Sequence, residues 1–190
     1  MSRRFSLFWS ETSRGGQTMP RKSPATVICF SMWLLAASIG AAPPHDDKER
    51  AELATALKDP KISLEQGVSA SAREGKPISA KYEVDDGKLQ LSVYTMKGTY
   101  FSEVIVDHKA GKVSKAEPIT KEDDLKAAKA QSEAMAKAKR SLQAAAAGAV
   151  KENKGYRVVS VVPELRNDHP VAEVTLVKGT EWKTVSEKLD

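Results

Sequence analysis

An eight-residue pattern of this chain occurs twice. Lys97-Gly98-Thr99-Tyr100-Phe101-Ser102-Glu103-Val104 returns as Lys178-Gly179-Thr180-Glu181-Trp182-Lys183-Thr184-Val185, sharing Lys-Gly-Thr, an aromatic at the fifth place and Val at the eighth. A Lys-Gly pair between two alternating runs reads as a tight turn, so each copy marks the hinge of a β-hairpin. A repeated hinge implies that the unit around it is repeated too.

The flanking residues support that. At an offset of 78, Leu64, Val68 and Ala72 match Leu142, Ala146 and Val150. The same offset sets Ile78, Ala80, Tyr82 and Val84 against Tyr156, Val158, Ser160 and Val162. Past the first hairpin turn the offset becomes 81, and Leu91, Val93 and Thr95 match Ala172, Val174 and Leu176. The three extra residues are assigned to Pro163–Pro170, a turn where added length costs little.

Local signals give each unit the same order. Asp46-x-x-Glu49 opens a first helix, with Leu53 and Leu57 on one edge and Pro60 as its stop. Ser63-x-x-Gln66 caps a second, carrying Leu64, Val68 and Ala72 on one face and ending at Gly75 in a left-handed turn. Alternation then predicts strands over Ile78–Val84 and Leu89–Thr95 about an Asp85-Asp86-Gly87 turn, a third strand from Tyr100 to Val106, and a fourth from Lys112 to Glu117. One polar face per strand implies an antiparallel sheet covered on one side. Thr120-x-x-Asp123 caps a helical stretch to about Glu152, in which eleven residues are alanine. A break near Lys139-Arg140 fits, because Ser141-Leu142 repeats Ser63-Leu64, and Gly155 takes the part of Gly75. The second copy ends at Asp190 without a fourth strand.

The N-terminus reads as an export signal. Arg21-Lys22 precede the apolar run Val27–Ala37, and small residues follow at Ser38, Gly40, Ala41 and Ala42. Cleavage is expected between Gly40 and Pro43, and Met19 is a candidate true start. The run is short for a membrane span, so no stable span is expected after cleavage. Five of the 30 basic and one of the 25 acidic side chains lie in residues 1–42, which leaves 25 against 24 beyond them. That balance offers no basic stripe for a nucleic acid. Cys29, the sole cysteine, lies within the apolar run, so the exported part has no thiol or disulfide chemistry. The expected domains are a signal segment over 1–42, a first unit over 43–118, and a linking helix with the second unit over 119–190.

Helix, Gly, strand, acidic-Gly turn, strand, turn, strand, then Asp107-x-x-x-Gly111-Lys112-Val113 resembles the PepSY domain, found in propeptides of thermolysin-like metalloproteases and in exported bacterial proteins. The resemblance covers 62–118 and, without the closing Asp-x-x-x-Gly-Lys, 141–190. It implies an α+β fold of two cystatin-like repeats, each a helix on an antiparallel β-meander, joined by the long Ala-rich helix. It also implies a non-enzymatic role, with protease binding or restraint as the family's proposed activity.

No reaction centre is legible in the residues. His45, His108 and His169 are far apart and have no Cys or paired acid at ligand spacing, so no metal site and no cofactor are expected. Asp46-Asp47 and Asp123-Asp124 stand at helix starts and Asp85-Asp86 in a turn, where Asp serves local hydrogen bonding. No nucleophile elbow, phosphate loop or dinucleotide fingerprint occurs. Six aromatics lie beyond residue 42. Tyr94 alternates with Leu91, Val93 and Thr95 and so faces away from their helix. Phe101 and Trp182 share one position and read first as core in both copies. Otherwise Tyr94, Tyr100, Phe101 and Trp182 mark a sheet face suited to a protein partner. The expectation is a periplasmic or secreted binding or regulatory module, not an enzyme. The alternative is a periplasmic protein handling a small ligand or metal between the two units.

Overall fold

The computed structural model describes residues 47–190. The chain forms helices α1 (Asp47–Ala56) and α2 (Leu64–Ser71), strands β1 (Lys76–Asp85), β2 (Lys88–Lys97), β3 (Tyr100–Asp107) and β4 (Lys112–Pro118). Helices α3 (Glu122–Lys137) and α4 (Leu142–Glu152) and strands β5 (Arg157–Arg166), β6 (His169–Lys178) and β7 (Glu181–Lys188) follow. The fold is α+β, with one antiparallel sheet in the order β4-β3-β2-β1-β5-β6-β7. The signal segment, Cys29, His45 and the Asp46 cap lie outside the described residues.

Turn chemistry fixes the strand registers. Asp86 and Gly87 have φ of 48° and 72°, and Asn167 and Asp168 have 50° and 70°. Two positive φ values in a two-residue loop are the type I′ pattern, whose twist suits paired strands. The repeated Lys-Gly-Thr builds the next turn in each unit. Gly98 and Gly179 sit at φ 63° and 62°, and only the first loop position is left-handed, which is the type II′ requirement.

All three strands of the second unit lie 81 residues after β1, β2 and β3, bounds included. The three-residue difference therefore falls before β5, not in Pro163–Pro170: α2 has 8 residues and α4 has 11. Both strands carry a register shift, between Pro77 and Ser79 and between Val158 and Ser160, so Ile78 corresponds to Val159. An odd slip exchanges the two faces of a strand. The inward residues of β5 are thus Val159, Val161 and Pro163, matching Ile78, Ala80 and Tyr82, while Ser160 and Val162 are only half-buried.

The sheet is covered on both sides, not one. Leu91, Val93, Val104, Val106, Val161, Ala172, Val174 and Leu176 form a buried layer beneath α2 and α4, which pack on each other. On the opposite face the Ser79 hydroxyl donates to Gln131 Oε1 of α3 at 2.7 Å, and Ser132 donates to Met96 Sδ at 2.9 Å. There too Arg157 Nη1 donates to the Leu57 carbonyl after α1 at 2.6 Å. The Arg50 guanidinium of α1 lies 5.8 Å from the Trp182 ring centroid.

The Ala-rich stretch is two helices, not one joining helix. Ala138 is extended, at φ −72° and ψ 136°. The amides of Lys139 and Arg140 donate to the Leu189 carbonyl, as those of Lys61 and Ile62 donate to His108. The chain thereby rounds the end of the sheet twice in the same way. Ser141 restarts the helix, its Oγ accepting from the Ala144 amide at 3.1 Å. Ser63 and Gln66 form the expected capping box, whereas α3 starts from Lys121 without a side-chain cap, so Thr120 does not serve.

Gly155 is left-handed at φ 86°, but Gly75 is not, and α2 already ends at Ala72 in right-handed geometry. Gly75 is needed for space instead. A Cβ there would stand 2.9 Å from the Met96 carbonyl oxygen, a backbone atom that cannot rotate away. Gly75→Ala is expected to destabilise the fold by about 1–3 kcal/mol, the range for overpacking. Urea unfolding of the two proteins measures it as a lower midpoint at unchanged slope.

Candidate functional site

The four candidate aromatics do not form one exposed patch. Tyr94 lies on the face opposite Leu91 and Val93, as alternation requires, yet it is only 4% exposed because helices cover that face too. Phe101 is buried at 8%. Trp182 is half-buried against the margin of the core, under Arg50. Phe101 therefore sits where the core reading puts it, and Trp182 partly so. Tyr100, in the β2–β3 turn region, is 78% exposed. A partner can meet Tyr100 directly, but it cannot meet Tyr94 or Phe101 without displacing what covers them.

Tyr94 belongs to a polar cluster inside the first unit. Its hydroxyl donates to Glu103 Oε1 at 3.2 Å. Beside them Ser92 Oγ donates to Glu83 Oε1 at 2.8 Å and accepts from Gln90 Nε2 at 3.0 Å. Lys81 Nζ pairs with Glu83 at 2.5 Å and lies 6.0 Å from the Tyr94 ring centroid. Burial is the main cause pushing the Glu103 carboxyl above its ordinary range, and the negative Glu83 adds to it. Ser92, Tyr94 and Lys81 pull the other way. Burial also raises Tyr94, with Glu103, Glu83 and Asp124 adding to the shift, and it raises Asp124 in the first turn of α3.

The second unit has nothing equivalent. At an offset of 81, Val162, Thr175 and Thr184 stand where Lys81, Tyr94 and Glu103 stand. Glu164 and Glu173, at the places of Glu83 and Ser92, share Arg166 at 2.5 and 2.9 Å. The sequence carries one trace of the cluster, the unclean sidedness of β3. Glu103 sits in β3 at a position that points into the molecule. Tyr94 and Glu103 are buried, whereas Lys81 and Glu83 are partly exposed at the edge of the cluster.

A second feature is an open depression of about 430 Å³ at the β1–β2 turn. Asp85, Asp86, Asp107, Lys88, His108 and Gln90 are among its lining residues. Gln90 links it to the cluster through Ser92. Asp107 Oδ1 accepts from the amides of Lys109 and Ala110 at 2.8 and 3.0 Å, and those bonds hold its pKa below the usual carboxylate range. Asp85 and Asp86 are turn residues, as read from the sequence, and Asp123-Asp124 lies in the first turn of α3, where acids suit the helix dipole.

The two described histidines are separate. His108 Nδ1 is buried without a hydrogen-bond partner among the described residues. His169 Nδ1 lies 3.0 Å from Asp190 Oδ2. Among the described residues no group of three or more His, Cys, Asp or Glu is placed to hold a metal. No described helix is long and apolar enough to cross a membrane.

Comparison with known proteins adds little. No family model matches the chain, and no curated protein matches it. A crystal structure from Clostridium difficile 630, described as that of a "putative lipoprotein", is similar over 70% of this chain and 89% of its own. The identity is 16% and the TM-score 0.39.

The buried carboxyl makes stability depend on pH. A carboxyl whose pKa is raised in the folded state binds its proton more tightly there than in the unfolded chain. Its stabilising contribution is present below the unfolded pKa and is lost as pH rises through the folded pKa. Glu103→Gln removes that loss and keeps an oxygen for the Tyr94 hydroxyl. The variant is expected to melt higher than the parent at neutral pH, with the gap closing on acidification. Thermal melts between pH 4 and pH 8 test this, and a variant that melts lower throughout contradicts it.

Proposed function

We propose that the chain is an exported, non-enzymatic binding or regulatory module of two PepSY-like, cystatin-like units, acting in the periplasm or outside the cell. Its partner on this reading is a protein, with an envelope or secreted protease the first to test, and not a nucleic acid. The observation that carries the proposal is the recurrence of one unit: two helices, a bulged strand, a type I′ turn, a second strand, a Lys-Gly-Thr turn and a third strand. That order is the one the PepSY resemblance implies, with the addition of a helix on the far face. The charged, apolar and small-residue succession before Pro43 supports export.

Tyr100 is the contact this reading singles out, since it flanks the two-residue β2–β3 turn and is exposed. Tagged protein incubated with envelope extract and cross-linked is expected to retain one dominant partner. Tyr100→Ala should weaken that capture by roughly tenfold, the loss of a single good aromatic anchor. Capture that is unchanged in the variant removes Tyr100 from the site, and no specific partner at all contradicts the reading.

One observation favours a second reading, a small-ligand protein. The open depression at the β1–β2 turn is lined by three aspartates, Lys88 and His108 among others. It lies within the first unit rather than between the two. Native mass spectrometry of protein purified from cells distinguishes the readings. A bound mass that Asp107→Asn releases favours the ligand, and the bare chain mass opposes it.

A further inference from the structure

The Glu103 side chain lies inside the first unit, and the groups facing it come from four elements. Lys81 and Glu83 of β1 pair with each other at 2.5 Å. Tyr94 of β2 donates its hydroxyl to the carboxyl at 3.2 Å. Glu117 of β4 stands opposite Glu103 in the ladder and pairs with Lys115 at 2.8 Å. Asp124 of α3 is within electrostatic reach of Tyr94 and Lys81, and Lys121 and Asp123 act on it in turn. Ionising Glu103 therefore adds a buried charge to a corner where Lys81 and Lys115 already answer Glu83 and Glu117. A buried charge short of partners is costly, and admitting water relieves it. The strands cannot yield, because β1, β2 and β3 each have a neighbour on both sides. Helix α3 is held unevenly. Its second half is tied down by Ser79 on Gln131, by Ser132 on Met96, and by Lys76 Nζ donating to the Met135 carbonyl at 3.2 Å. Its start has no side-chain cap, and Glu122, Asp123 and Asp124 crowd the first turn. An uncapped helix end is the part that opens most easily.

We propose that the first two turns of α3 are a pH-operated cover over Tyr94, closed while Glu103 carries its proton and opened when Glu103 is charged. The sense of the switch follows from linkage. Burial raises the Glu103 carboxyl, so the closed form holds the proton more tightly than the open form. Closure is complete below the open-form pKa and weakens as pH rises through the closed-form pKa. Burial raises Asp124 too, which gives it the same sign. The movement is a fraying, not a departure of the helix. The Ile119 amide donates to the Phe101 carbonyl at 2.9 Å, so only Thr120 and Lys121 link the sheet to α3, and the bonds from Gln131 onward hold the far end. The second unit has no such switch, because Val162 and Thr184 stand where Lys81 and Glu103 stand. The cover works without reference to what the chain binds at Tyr100.

Hydrogen exchange at pH 5.5 and pH 8, corrected for the intrinsic pH dependence of amide exchange, reads the cover directly. The sample is the protein expressed from the full-length gene and purified as the cell processes it. Peptides spanning 122–130 are expected to lose protection several-fold at the higher pH, while those of α4 and β5–β7 keep theirs. Hydroxyl-radical footprinting is expected to oxidise Tyr94 more at pH 8 than at pH 5.5, measured against buried Tyr82 as the internal reference. Glu103→Gln has no charge to gain and is expected to stay closed at both values. Asp124→Asn keeps Glu103 but removes an opposing charge, so its pH effect is expected to shrink. It carries the test if circular dichroism shows that Glu103→Gln does not fold. Protection over 122–130 that is equal at both pH values would overturn the proposal, as would a loss shared equally by α4 and β5–β7. So would the parent's pH response persisting in both variants, or Tyr94 oxidation that does not rise.

Discussion

Everything else in this molecule depends on the antiparallel contact of β1 with β5. Ala80 stands opposite Val161 and Lys81 opposite Ser160, and the two apolar residues are buried at the centre of the layer under α2 and α4. Each unit spans only about 60–70 residues, a size at which one core stabilises a fold marginally. Joining the two meanders edge to edge makes one sheet wide enough for α2 and α4 to share a floor. It also lets α3, whose own unit is β5–β7, reach across to Ser79 and Met96. In the other direction Arg157 of β5 is tied to Leu57 and Pro60 after α1. The units therefore exchange support on the far face as well as meeting along a seam.

The repeat is close in backbone and loose in side chains. The same bulge, the same two turns and the same path around the sheet end occur in both halves. One half uses its far face for Lys81, Glu83, Tyr94 and Glu103, and the other has valine and threonine at three of the four places. Leu189, fully buried, occupies the position that His108 takes in the first unit. A buried carboxyl is costly to keep. It gives the first unit a raised carboxyl, and Thr184 stands at the equivalent place in the second.

Much of the architecture was legible in the sequence because turn chemistry is local. Asp86-Gly87, the repeated Lys-Gly-Thr, the Ser63–Gln66 capping box and the second helix start at Ser141 each specify backbone within a few residues. The offset of β5 was not legible. Val158, Val159, Val161 and Val162 present apolar residues in both phases, so alternation there does not choose a face, and the bulge at Val159 removes the remaining clue. The coverage of the second face was hidden for a different reason. Ser79, Lys81, Ser92 and Tyr94 read as a solvent-facing row, and only the tertiary position of α3 turns that row into an interior. For the same reason Tyr94 reads as a candidate surface residue but is buried, while Phe101 follows its core reading.

Two units that share one core are expected to unfold as one. Trp182, the only tryptophan beyond residue 42, reports on the second unit, and Leu91 is buried in the first. The decisive measurement is urea unfolding of Leu91→Ala beside the parent, followed by Trp182 fluorescence and by far-UV circular dichroism. A shared core predicts that the two signals change together and that the fluorescence midpoint falls with the cost of a large-to-small core change, about 2–5 kcal/mol. A Trp182 transition that stays where it was while the circular dichroism splits into two would show separate units, and would contradict the account.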